Sequence, residues 1–184
     1  MAKLHKALAN VSDEVDIEDM DLFRHVTEWA LPKSNVNIEL SNDFIVELGE
    51  LCPQLPKQLI HRDTHPENIL WYDGDVSGFI DFDIAQCNVR LWDICYCATA
   101  LLPDCKREER ALWFDVLRNI LGGYDSVATL TDVEKRAVYY VICSIMFVFI
   151  AWGIGQDDYS EMTKANREML EFIVQNKERI SASI

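Results

Sequence analysis

Three polar residues within one otherwise apolar stretch have the types and order that proton transfer and metal binding need. They are Asp63, Asn68 and Asp81, inside LIHRDTHPENILWYDGDVSGFIDFD, residues 59–83. A positioned carboxylate such as Asp63 can take the proton of an alcohol. The amide oxygen of Asn68 and the carboxylate of Asp81 are hard oxygen donors of the kind Mg²⁺ demands, and Mg²⁺ keeps several waters, so one or two protein ligands suffice. Base and metal together suit phosphoryl transfer to a hydroxyl, where catalysis is mostly positioning and charge neutralisation.

The spacing sharpens that chemistry. His61-Arg62-Asp63, four intervening residues and Asn68 fit the kinase catalytic loop, with Asp63 as the base and Asn68 on Mg²⁺; Asp81 supplies the second ligand. Taken singly, Asp63 reads equally well as a turn carboxylate, Asn68 as a loop amide satisfying local backbone and Asp81 as a strand-end carboxylate. Their joint occurrence in order favours the catalytic reading. Around them, Arg62 can contact a phosphate or substrate, or form a surface ion pair. Asp83 can approach a second metal position or cap the segment that follows. His61 reads as scaffold, hydrogen-bonded within the loop. Asp93, a lone carboxylate in Leu91-Trp92-Asp93-Ile94, must be hydrogen-bonded if buried, and is expected to brace the loop.

Certain elements must position these groups. A short strand at Gln58-Leu59-Ile60 should lead into the loop, and β-rich runs at 68–72 and 76–82 should form a hairpin across Asp73-Gly74-Asp75, because Asp-Gly between apolar runs is a strong hairpin signal. The hairpin would return Asp81 to the neighbourhood of Asn68. Helices are expected at 3–9, 17–31 (ended by Pro32), 42–51 (capped by Ser41), about 90–102, 104–121, 131–154 and 158–179, with Pro103, Gly122-Gly123 and Gly155 as punctuation. Thr131 followed by Glu134 makes a capping box.

The bulk of the sequence sets bounds. A chain of 184 residues is long enough for one domain with a proper core or for two small ones. A net charge of −14 argues against a nucleic-acid surface, which needs clustered Lys and Arg. The six cysteines lack the spacing of a zinc site and no signal peptide precedes them, so they read as reduced, buried thiols in a cytoplasmic protein. Residues 137–155 carry no formal charge and approach the length of a membrane span. Asp157-Asp158 follows directly and no basic cluster flanks the run, so it reads as a buried core helix and no membrane association is expected.

The pieces LIHRDTHPENIL, GFIDFDIA and LWDICYCATALL resemble the aminoglycoside phosphotransferase and choline kinase family of small-molecule kinases, which share the protein-kinase-like fold. The opening MAKLHKALA is similar to the helix that begins the C-terminal lobe there. The resemblance implies an α+β, mainly α fold across 1–184: a C-terminal lobe with a β-hairpin platform and a helical block. It implies Asp63 as catalytic base, Asn68 and Asp81 as Mg²⁺ ligands, ATP as phosphate donor and a small-molecule acceptor. Arg62 stands where the family commonly has Gly. After Asp83 the chain is expected to enter a helix almost at once, without a long activation segment, which favours small over protein substrates.

One part of the pattern is missing. No Gly-rich loop and no Lys-bearing strand precede Asp63, so the sequence reads as the C-terminal lobe without the nucleotide-binding N-lobe, with an incomplete ATP site. The alternative is a non-catalytic binding module of the same fold. The face such a lobe would cover is expected to favour self-association.

Overall fold

In the computed structural model, residues 1–11, 17–36, 41–102 and 108–184 are described. In chain order the elements are α1 (Ala2–Leu8), α2 (Leu22–Arg24), a π-helical segment (His25–Ala30), α3 (Leu31–Ser34), α4 (Ser41–Leu51), β1 (Lys57–Ile60), β2 (Ile69–Tyr72), β3 (Asp75–Phe79), β4 (Gln86–Val89), α5 (Leu91–Thr99), α6 (Trp113–Asp125), α7 (Asp132–Gly153), α8 (Ser160–Gln175) and α9 (Lys177–Ser181). The architecture is mainly α with two small antiparallel sheets. The elements fall into two units: Met1–Met20 with Pro56–Leu130, and Asp21–Leu55 with Thr131–Ile184.

The first unit holds every candidate site residue, from His61 to Asp93. β1 pairs antiparallel with β4, from Lys57 opposite Val89 to Ile60 opposite Gln86. β4 departs from the expected direct passage into a helix: its Gln86-Cys87-Asn88-Val89 lacks the alternation that marks a strand, and its order comes from pairing. Cys87 also bonds the extended segment before Asp21, donating to the Glu18 carbonyl at 2.8 Å and accepting from the Met20 amide at 2.9 Å. β2 and β3 form the expected hairpin, with an irregularity between Leu70 and Trp71. Its turn puts Asp73 at φ 52° and Gly74 at φ 84°, the pair of left-handed residues that suits the twist of the flanking strands. β3 ends at Phe79, so Asp81 lies just beyond the strand instead of at its end. Ile60, Leu91, Trp92, Ile94, Trp113, Phe114 and Leu117 make the core. α6 runs on through Gly122-Gly123, expected to stop it, to Asp125. The expected helix start at 104 and Pro103 lie outside the described residues.

Among the described residues, every element of the second unit is helical. The expected helix 17–31 begins later, at Leu22, with the Asp21 carboxylate capping the Arg24 amide. It is not ended by Pro32. The helix widens to π geometry over His25–Ala30 and continues to Ser34; Pro32 has no N–H to give and its ring opposes the carbonyl four residues back. The Ser41 side chain lies outside the described residues. α7 starts with the expected capping box: the Glu134 amide donates to Thr131 Oγ1 at 3.2 Å and the Thr131 amide to Glu134 Oε2 at 2.8 Å. Its most apolar window is 83% buried, the packing of a core helix. Phe44 meets Phe147 edge-on at 5.3 Å. At Gly153 an added Cβ would collide with Thr163, so glycine lets α7 and α8 approach. The expected helix 158–179 is divided: a 3₁₀ turn at Asp157–Tyr159, then α8, then α9 beyond Asn176.

Candidate active site

The loop after β1 is fastened to one buried carboxylate. Asp93, in the first turn of α5, is fully buried. Its Oδ1 accepts the Arg62 amide at 2.7 Å and its Oδ2 accepts the His61 amide at 2.9 Å. Its carbonyl accepts the Thr64 hydroxyl at 2.8 Å, and the neighbouring Trp92 indole donates to the Arg62 carbonyl at 3.1 Å. An ionised carboxylate cannot donate, so the third contact on the carboxylate, His5 Nε2 at 3.0 Å from Oδ2, makes that nitrogen the protonated one. His5 Nδ1 is hydrogen-bonded to the Tyr124 hydroxyl at 2.9 Å. Charge-assisted bonds to backbone amides are among the stronger ones, and here they fix the path of the chain immediately before Asp63.

That path is unusual at Arg62, which holds φ 71°, the left-handed region where a Cβ costs about 1 kcal/mol. Its guanidinium is pushed below its ordinary range by burial, with the charges of Glu18 and Asp63 opposing. His61 is fully buried. Its Nε2 donates to the Ile80 carbonyl at 2.8 Å and its Nδ1 accepts the Asp63 amide at 3.3 Å. One imidazole thus ties the loop to the strand that leads to Asp81.

Asp63 sits half-buried with both carboxylate oxygens engaged. Asn68 Nδ2 donates to Oδ2 at 3.1 Å and to the Asp63 carbonyl at 2.9 Å. The Tyr96 hydroxyl donates to Oδ1 at 3.0 Å. His65 Nε2 stands 3.6 Å from Oδ2. Burial, with the Asp63 charge and hydrogen bond adding, holds the Tyr96 hydroxyl well above the usual tyrosine range, so it donates and does not ionise.

Both amide hydrogens of Asn68 point to Asp63, which turns its oxygen to other partners. The Ile80 amide donates to the Asn68 carbonyl at 3.1 Å, which sets Asp81 next in line beside Asn68. Asp81 is exposed at φ 64°, a conformation that Asp tolerates better than most. Among the described residues no group of three His, Cys, Asp or Glu side chains is placed to hold a metal ion; an amide and a carboxylate, Asn68 and Asp81, are the oxygen donors that would suit Mg²⁺ with its retained waters. Asp83 is exposed on the turn that leads to β4. The structure therefore brings Asp63, Asn68, His61, Arg62 and Asp93 into one bonded cluster, with Asp81 at its edge.

Sequence reasoning passed over His5, Thr64, His65 and Tyr96. Tyr96 had a signal: it lies three residues after Asp93, hence on the same helical face. His5 had none, because its partners Asp93 and Tyr124 are 88 and 119 residues away.

Residues 1–129 match the family described as the phosphotransferase enzyme family, and the chain belongs to it. Homoserine kinase from Gluconacetobacter diazotrophicus is 40% identical over 99 residues, covering 50% of this chain and 29% of that protein. Homoserine kinase from Zymomonas mobilis is 25% identical over 158 residues, covering 77% and 45%. The chain thus matches less than half the length of these curated relatives. Among solved structures, a choline/ethanolamine kinase family protein from Mesorhizobium loti aligns with a TM-score of 0.65 at 17% identity, over 99% of this chain and 63% of the other. A GDP complex of a mutant aminoglycoside 2'-phosphotransferase aligns at 0.66 and 18%, over 98% and 61%. The fold is that of these kinase-like enzymes, of which the chain spans a part.

Proposed function

We propose that this chain carries the base and metal ligands of an ATP- and Mg²⁺-dependent phosphotransferase acting on a small-molecule hydroxyl. The observation that carries the reading is Asp63 held by Asn68, with Asp81 beside it. In this reading Asp63 receives the acceptor's hydroxyl proton as that oxygen bonds to the γ-phosphorus and the bond to the β,γ-bridging oxygen breaks, leaving ADP. Asn68 and Asp81 hold Mg²⁺, which neutralises charge on the phosphates. His61, Arg62 and Asp93 supply the fixed loop that such positioning demands. The names of the curated relatives make homoserine the first acceptor to try, and those of the structural neighbours add choline and an aminoglycoside.

The test is ADP release with Mg²⁺-ATP and each acceptor, in the complete protein that carries this chain. Acceptor-dependent release that stops when Mg²⁺ is chelated supports the reading; its absence with every acceptor overturns it.

A further inference from the structure

Asp63 is gripped from two separate elements. Asn68, five residues on, donates to Oδ2, while the hydroxyl of Tyr96 reaches Oδ1 at 3.0 Å from α5. α5 also carries Asp93, one turn earlier, on whose oxygens the His61 and Arg62 amides rest. One helix therefore fixes both the backbone that presents Asp63 and the carboxylate itself.

We propose that Tyr96 is a positioning residue for Asp63, a role that rests on the proposed phosphotransfer. A carboxylate at the end of two rotatable bonds can swing and turn; a donor on each oxygen fixes its plane. Tyr96 suits the task because its ring is packed, with 8% of the residue exposed, and its torsions are set by that packing, not by the bond it makes. Its hydroxyl remains protonated at working pH because burial raises its pKa. The remaining lone pairs of Asp63 then face a fixed direction, from which the acceptor hydroxyl must approach. Small misplacement of such a group costs large factors in rate. Because Asp63 takes the proton only as transfer occurs, loss of its orientation should fall on kcat and spare the acceptor's KM.

The experiment uses the complete protein with Mg²⁺-ATP and the acceptor it is found to phosphorylate. Wild type and Asp63→Ala are measured first: no transfer by wild type, or retained transfer in Asp63→Ala, removes the proposed function and this inference with it. With that step passed, Tyr96→Phe, nearly isosteric, is expected to lower kcat by about 10- to 100-fold, with the acceptor KM within about twofold and the thermal melt unchanged. Wild-type kcat in Tyr96→Phe overturns the proposal, as does a kcat loss matched by a raised KM and a lowered melt, the pattern of a merely structural tyrosine. Alkaline titration of tyrosinate absorbance in wild type and Asp63→Ala gives a readout free of turnover. One tyrosine should ionise at lower pH in Asp63→Ala, and identical curves would remove the contact on which the proposal stands.

Discussion

The Asn68 side chain gives both of its amide hydrogens to one residue, donating to the carbonyl of Asp63 at 2.9 Å and to its carboxylate at 3.1 Å. A single amide thus closes the loop and orients the Asp63 carboxylate, and in the proposed reading its oxygen serves the cation. Replacing Asn68 with Ala removes all of these functions. The concentration of Mg²⁺ needed for half-maximal transfer should rise by at least about tenfold. A magnesium titration of activity checks this; an unchanged midpoint would take Asn68 off the metal.

Asp93 predicts a stability effect. Its two oxygens take three donors in a fully buried setting. Asp93→Ala leaves two backbone amides and the His5 imidazole without their acceptor, and a broken buried network of this kind costs about 3 kcal/mol. Urea denaturation should show the loss in the unfolding of the first unit. A midpoint equal to wild type would mean that the loop does not depend on this anchor.

At Arg62 the backbone asks for glycine. With φ at 71°, Arg62→Gly relieves the Cβ clash and should leave stability unchanged or raise it by up to about 1 kcal/mol. Burial of the guanidinium means that the same change also removes a desolvated charge beside Asp63. If Arg62 contacts the donor's phosphates, KM for ATP rises in this variant while the melting temperature does not fall. A lower melting temperature would contradict the strain.

In the second unit, burial raises the thiols of Cys52 and Cys143 from 9.0 to about 12. The folded state therefore keeps these protons at pH values where the unfolded chain has lost them. Their contribution to stability is whole below pH 9.0, the unfolded value, and is lost as pH climbs towards about 12. Melting temperature should fall over that window, and the fall should be shallower in Cys143→Ala. An equal slope in both proteins would remove the thiol from the alkaline transition.

Legibility in the sequence followed the range of the interaction. The hairpin was readable because Asp73-Gly74 sets its own turn, and α7 because Thr131 and Glu134 cap each other within one turn. The order Asp63, Asn68, Asp81 was readable because a short loop and a tight hairpin fix their mutual positions. β4 was not, since Gln86–Val89 becomes a strand only by pairing with Lys57–Ile60. Nor was the late start of α2: Ile17 and Met20 look helical by spacing, yet Glu18 and Met20 spend their backbone groups on Cys87. The passage of the helix through Pro32 depended on a π turn that no residue type announces. His5 escaped because its partners lie far away along the chain; the position of Tyr96 one turn after Asp93 signalled its helical face, but not its bond to Asp63, 33 residues away.

The central claim, that Asp63 is the base of a phosphotransferase, is tested most directly by Asp63→Ala in the complete protein. Transfer from Mg²⁺-ATP to the acceptor should fall by about 10²- to 10⁴-fold, with circular dichroism and melting behaviour as in wild type. Undiminished transfer by a folded Asp63→Ala protein would contradict the account.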